Sequence, residues 1–251
     1  MSKRTTRKKK AASLVRTRGM GLSVKLFRYA GLKLSATQLA TALKKIKYSP
    51  KSKKDAAAGF TKVTAIGKKV IADIVAGFRV PILSYDKDGN LTPVHYVSID
   101  KGTAYVKTDK GTVEVRGSER IARRFKSLVE DATGAKLSPL NLNGGTKKIY
   151  DAAADIASVL LSGVEKGNLT QAEFRGIGIQ NEDEISLYTR RYKGEITRFR
   201  GTFPYPSGAF LTTTVNAEAG SLMIYRTGEG IYEKDLNWIV NLMEDAALAQ
   251  R

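Results

Sequence analysis

The sequence predicts an α+β fold: a basic N-terminal arm and two helices, then a β-meander, further helices, a second antiparallel sheet and a C-terminal helix. Three observations carry that expectation. Apolar residues recur at helical spacing before residue 80, alternate with polar ones over 80–116, and repeat the same change of period later in the chain. Glycine-bearing turn signals punctuate the alternating stretches. Helices and strands come in blocks rather than in strict alternation, which favours α+β over α/β.

Residues 1–20 form a basic arm, with eight Lys or Arg among the first eighteen. Such a block repels itself and is expected to stay disordered when free. In GLSVKLFRYAGLKL, residues 21–34, the alternation of Leu22, Val24 and Leu26 suggests a short strand or an extended docking segment. Ser35 with Gln38 three residues later matches a capping box, and Leu39, Ala40, Leu43 and Ile46 follow at helical spacing. Lys44, Lys45 and Lys47 crowd the last turn, where cations suit the dipole, and Pro50 stops the helix. A basic linker, 48–55, leads to a second helix expected over 55–78, with Phe60, Val63, Ile66, Val70, Ile71, Ile74 and Val75 as its apolar stripe.

The alternating stretch 80–116 reads as a meander of about four strands, turning at Asp88-Gly89, Lys101-Gly102 and Lys110-Gly111. Ser118 then caps a helix that Gly134 ends. Thr146 opens another, with Ile149, Ala153, Ile156 and Leu160 inward. Strands are expected at 184–192, 195–203, 209–216 and 221–226, and a final helix over 232–249 buries Leu236, Ile239, Val240 and Met243. The expected organisation is an arm (1–20), a basic helical region (21–80) and a charge-neutral body (81–251), the last divisible at 81–135 and 146–251.

The net charge is +19, and its placement is specific. Residues 1–80 hold 21 Lys and Arg against only Asp55 and Asp73, while residues 81–251 hold 22 bases and 22 acids. A positive field concentrated in this way suits a polyanion, either nucleic acid or an anionic membrane surface. The absence of cysteine excludes disulfides, thiolate metal sites and cysteine nucleophiles, and His95 alone cannot build a multi-histidine site. No transmembrane stretch is expected: Val70 to Leu83, the most apolar run, is short and broken by Asp73, Arg79 and Pro81. The charged N-terminus lacks the apolar run of a secretory signal.

The candidate nucleic-acid contacts are first the arm residues Lys3, Arg4, Arg7, Lys8, Lys9, Lys10, Arg16 and Arg18. Arg forks onto phosphate oxygens and Lys acts as a point charge, releasing condensed counterions. Lys44, Lys45, Lys47, Lys51, Lys53 and Lys54 extend the field without interleaved acids, with Lys62, Lys68 and Lys69 beyond. A second candidate lies in LYTRRYKGEITRFRGTF, 187–203. On a strand, Tyr188, Arg190 and Tyr192 share one face, and after a turn Arg198 and Arg200 share another. Aromatics beside arginines suit stacking on single-stranded bases, and a core hairpin with ion-paired arginines is the structural alternative.

Other motifs carry less. DKDGN at 86–90 places acids as a calcium loop does, but the places of its glycine and final glutamate hold Leu91 and Val97. NGGTKK lacks P-loop spacing, and RGIGIQ is read with no helix after it. No cofactor or metal site is expected. The expected function is a non-enzymatic, nucleic-acid-binding structural protein, intracellular or within a virion, with RNA or DNA and other subunits of an assembly as partners. It fits a ribonucleoprotein component or a virus or phage particle protein. Two alternatives stay open: a metal-dependent nucleic-acid-processing enzyme using acids such as Asp86, Asp100 or Glu114, and a peripheral protein on an anionic membrane.

Overall fold

A computed structural model describes residues 13–15, 17, 19–52, 55–142, 144–228 and 230–249. The arm cations Lys3, Arg4, Arg7, Lys8, Lys9, Lys10, Arg16 and Arg18, with Lys53 and Lys54, lie outside the described residues. The fold is α+β. In chain order it runs β1 (Leu14–Val15), β2 (Gly21–Ala30), α1 (Ala36–Lys44), β3 (Ala58–Ile66), β4 (Lys69–Tyr85), β5 (Leu91–Lys107), β6 (Thr112–Arg116), α2 (Glu119–Thr133) and β7 (Lys136–Pro139). There follow α3 (Thr146–Tyr150), β8 (Asp155–Lys166), β9 (Leu169–Arg175), α4 (Asp183–Arg190), β10 (Glu195–Pro204), β11 (Phe210–Asn216), β12 (Ser221–Tyr225), β13 (Ile231–Tyr232) and α5 (Glu233–Leu248). The chain divides into two units: residues 22–143 with 215–223, and the remainder.

In the first unit an antiparallel run orders its strands β3-β4-β5-β6-β2, with β7 also on β2. α1 and α2 supply Leu39, Leu43, Ile121, Phe125 and Val129 to one buried cluster with Val70, Ala72, Ile74, Val106 and Val113 of the strands. Phe125 meets Phe60 edge to face, ring centroids 6.0 Å apart. Both helix caps form as the sequence predicts. Ser35 Oγ accepts from Gln38 N while Gln38 Oε1 accepts from Ser35 N, and Ser118 Oγ accepts from Ile121 N. Gly134 ends α2 in the left-handed conformation.

The helix expected over 55–78 is instead the hairpin β3–β4, turning at Gly67-Lys68. Ten of the residues from 58 to 78 are β-branched or aromatic, which favours a pleated surface. On β4, Val70, Ala72, Ile74 and Ala76 are buried in alternation, but Val75 is buried on the opposite face. With apolar residues on both faces the period of two is filled in, and the pattern mimics a helical stripe. Among its described residues the basic region therefore holds one helix, not two.

The expected meander has three strands rather than four, β4 and β5 long and β6 short. Lys101-Gly102 is no turn: Gly102 lies inside β5 opposite Ile74. A Cβ there would stand 2.6 Å from Ile121 Cγ2 and 2.7 Å from the Arg116 carbonyl oxygen, so glycine is what admits α2 onto the sheet. The turn at Asp86–Asn90 does form, with Asp86 Oδ1 accepting from the backbone N–H of Asp88 and Asn90. β4 and β5 outrun their neighbours. β3 reaches only Ala76 on β4, and β6 begins only at Thr103 on β5. Beyond those points the two strands pair with each other, and every residue from Pro81 to Leu91 is exposed. The charge boundary at residue 81 thus falls inside β4.

In the second unit β11, β10, β8 and β9 are neighbours in that order, and β1 pairs with β13. α5 buries Leu236, Ile239, Val240 and Met243, as expected. The helix opening at Thr146 stops at Tyr150, and Ile156 and Leu160 belong to β8. A bulge explains the false period. Ile156 faces Gly201 and Ser158 faces Arg200, so Ala157 is an extra residue that flips the phase. Burial then falls on Ile156, Val159 and Leu161, which reads like helical spacing. The strand expected at 184–192 is α4, a helix with Asp183 and Glu184 in its first turn where the dipole favours acids. RGIGIQ is accordingly followed by a helix, but its start carries Glu182, Asp183 and Glu184, which repel a phosphate.

Candidate nucleic-acid interface

The described part of the basic region is built around the end of α1. Lys44 is the last helical residue and Lys45 the C-cap, whose N–H donates to the Ala42 and Leu43 carbonyls. The chain then lies along β3: Phe60 N donates to Ile46 O at 2.7 Å, and Tyr48 N to Phe60 O at 3.2 Å. Gly59 makes this approach possible, since a Cβ there would sit 2.5 Å from Tyr48 N. Lys44, Lys45, Lys47 and Lys51 are all exposed. The adjacent carboxylate, Asp55, accepts the backbone N–H of Lys51 at 2.9 Å. None of these four lysines forms an ion pair among the described residues, so each keeps its charge available to an outside anion.

The three further lysines divide. Lys62 and Lys68 are exposed. Lys69 is half-buried, its ammonium 4.4 Å from the centre of the Tyr105 ring, whose other cationic neighbour is Arg116 at 4.2 Å. Arg116 pairs with buried Glu114, which Lys107 also approaches at 3.8 Å. These groups form a structural network rather than a free surface.

Sequence reasoning missed the outer face of α2. Arg120, Arg123, Arg124, Ser127 and Phe78 line an open hollow of about 280 Å³. Arg120 stacks on Phe78 at 4.5 Å and pairs with Asp100 at 3.0 Å, and Arg123 pairs with Glu119 at 3.3 Å. Arg124 has no ion pair among the described residues. The signal was present in RIARRFK, where the arginines fall opposite the apolar stripe of Ile121 and Phe125.

The second candidate, 187–203, is rearranged. Tyr188 and Arg190 lie on α4 and Tyr192 just beyond it, so the shared strand face does not exist. A spacing of four residues instead brings Tyr188 and Tyr192 together, ring centroids 5.4 Å apart, with Phe174 also 5.4 Å from Tyr188. Lys166 Nζ donates to Tyr188 Oη at 3.0 Å and stands 4.8 Å and 5.2 Å from the two ring centres. That hydrogen bond is the main reason its pKa is raised. Arg190 is exposed. Arg198 and Arg200 do share the exposed face of β10, with Phe199 buried opposite. Arg198 lies 3.9 Å from Glu173, and Arg200 packs 5.0 Å from the centre of the Tyr225 ring.

The acids named for metal chemistry each have another partner. Asp86 closes the hairpin turn, Asp100 holds Arg120 and Ser118, and Glu114 holds Arg116. Among the described residues no three His, Asp or Glu side chains come together as a metal group would require. His95 is exposed on β5 opposite Pro81, with no side-chain hydrogen bond among the described residues. The helix expected over 55–78, which could have laid an apolar stripe on a membrane surface, is the β3–β4 hairpin, and no helix among the described residues is long and apolar enough to cross a membrane. No protein-family model matches the chain, and no curated protein matches it in sequence.

Proposed function

We propose that this protein is a non-enzymatic structural protein that binds nucleic acid through its basic N-terminal region, as a component of a ribonucleoprotein or of a viral or phage particle. One observation carries the reading: the whole +19 excess falls before residue 81. Its described lysines at positions 44, 45, 47 and 51 are exposed and hold no acid. Contacts of this kind act on phosphates, so the binding is strong at low salt and indifferent to base sequence.

Purification without nuclease treatment tests this. The protein is expected to carry nucleic acid, seen in its absorbance ratio, and sequencing that material tells RNA from DNA and one partner from a bulk mixture. Removing residues 1–12, which keeps β1 and its pairing with β13, is expected to weaken binding and flatten its salt dependence while circular dichroism stays unchanged. Protein that elutes free of nucleic acid and binds neither RNA nor DNA at low salt overturns the reading. So does divalent-metal-dependent nuclease activity lost on changing Asp86, Asp100 or Glu114.

A further inference from the structure

The hairpin formed by the outer halves of β4 and β5 is exposed on both faces and is apolar on both. Directly paired residues share a face. Ile82, Val94 and Tyr96 lie on one, and Leu83, Tyr85, Leu91 and Ile99 on the other. All seven are exposed large hydrophobics, Leu83 at 66% and Tyr85 at 73%. A two-stranded ribbon is at best marginal in water on its own, and a contiguous exposed apolar surface marks a contact surface.

We propose that this ribbon is a self-association arm: two copies of the chain pack their Leu83–Tyr85–Leu91–Ile99 faces together about a two-fold axis, ribbons antiparallel. Charge favours a second copy over other occupants. From Arg79 to Ile99 the formal charges are Arg79, Asp86, Lys87 and Asp88, which cancel. In a chain of +19 this is a segment that two copies can bring together without repulsion. A nucleic acid or an anionic membrane surface would require a net positive charge here, which the ribbon does not carry.

The ends of the ribbon are also complementary. Asp86 and Asp88 stand at the tip, and exposed Arg79 and Lys101 stand at the base, none of them ion-paired among the described residues. An antiparallel two-fold sets each tip against the other copy's base, as an isologous contact requires. Four side chains of this size at roughly half exposure or more offer on the order of 500 Å² per copy. The contact therefore buries about 1,000 Å² in total, the size at which specific interfaces begin.

The proposal does not rest on the nucleic-acid reading. A monomer that binds RNA overturns only the ribbon, and a dimer that binds none overturns only the function proposed above. The test is sedimentation velocity of the full chain, freed of nucleic acid, over a hundredfold concentration range. The wild type is expected to pass from monomer to dimer, and the Leu83→Ser, Tyr85→Ser double variant to remain monomeric with unchanged circular dichroism. Because the chain has no cysteine, His95→Cys adds a second readout. It lies mid-ribbon on the same face and is expected to form a disulfide-linked dimer on mild oxidation, whereas Lys62→Cys, on β3, is not. A wild type that is monomeric throughout, a dimer that survives the double variant, or equal cross-linking at both cysteines overturns the proposal. A monomeric wild type that floats with uncharged phosphatidylcholine vesicles, where the double variant does not, does so too, and gives the ribbon to a membrane.

Discussion

Replacing Lys44, Lys45, Lys47 and Lys51 together by glutamine is expected to change the salt dependence of nucleic-acid binding without disturbing the fold. All four are exposed and hold no acid among the described residues, so each substitution costs within about 0.5 kcal/mol of stability. The magnitude on binding follows from counterion release. Each phosphate neutralised on duplex DNA steepens the plot of log K against log salt by about 0.9, and on a single strand by about 0.7. Four engaged lysines thus contribute up to about 3.6 to the slope on a duplex, or about two decades of affinity between roughly 50 and 200 mM salt. Fluorescence anisotropy with labelled duplex and single-stranded ligands, titrated across that range, reads both quantities. A variant with the wild-type slope and affinity refutes the assignment of these lysines. An affinity loss that is the same at every salt concentration also refutes it, because it reports damage to shape rather than lost phosphate contacts.

Two further predictions concern the framework. Gly102→Ala sets a methyl 2.6 Å from Ile121 Cγ2 and 2.7 Å from a backbone oxygen, so it is expected to lower the stability measured by urea unfolding by about 1–3 kcal/mol. Tyr205 is buried, and that burial, helped by Asp235, raises its pKa far above the ordinary tyrosine value despite the opposing hydrogen bond with Thr213. The folded state therefore holds this proton more tightly than the unfolded one. Its contribution is intact below about pH 10 and is lost as pH rises further, so the drop in urea midpoint between about pH 9 and pH 11 is expected to shrink in Tyr205→Phe.

What the sequence made legible was local. The Ser35 and Ser118 caps, the Gly134 stop and the Asp86–Asn90 turn depend on residues a few positions apart, and all of them form. What it hid depends on partners distant in the chain. Residues 58–78 look helical because their sheet is apolar on both faces, and residues 156–161 look helical because the extra Ala157 shifts the phase of a strand. Gly102 resembles a turn glycine until Ile121, nineteen residues on, is seen packed over it. The candidate site divides along the same line. Exposure of the linker lysines follows from their charge alone, but the positions of Tyr188 and Tyr192 required knowing that α4 is a helix. Val70 to Leu83 stands out as the most apolar run, yet its final residues are exposed because β3 covers β4 no farther than Ala76.

After residue 80 charge is balanced, and attachment to a polyanion explains nothing there. The exposed ribbon begins at Arg79, where the basic run ends, and it shares its unit with the exposed lysines at 44, 45, 47 and 51. They respond oppositely to salt. Phosphate contacts weaken steeply as ions compete, whereas an apolar contact with few charges persists and is strengthened by excluded salts such as sulfate. A chain that used one surface for both purposes would lose assembly and nucleic acid together as salt rises. With two surfaces, nucleic acid leaves first and the dimer remains, so the order of loss in a single salt titration distinguishes one shared surface from two.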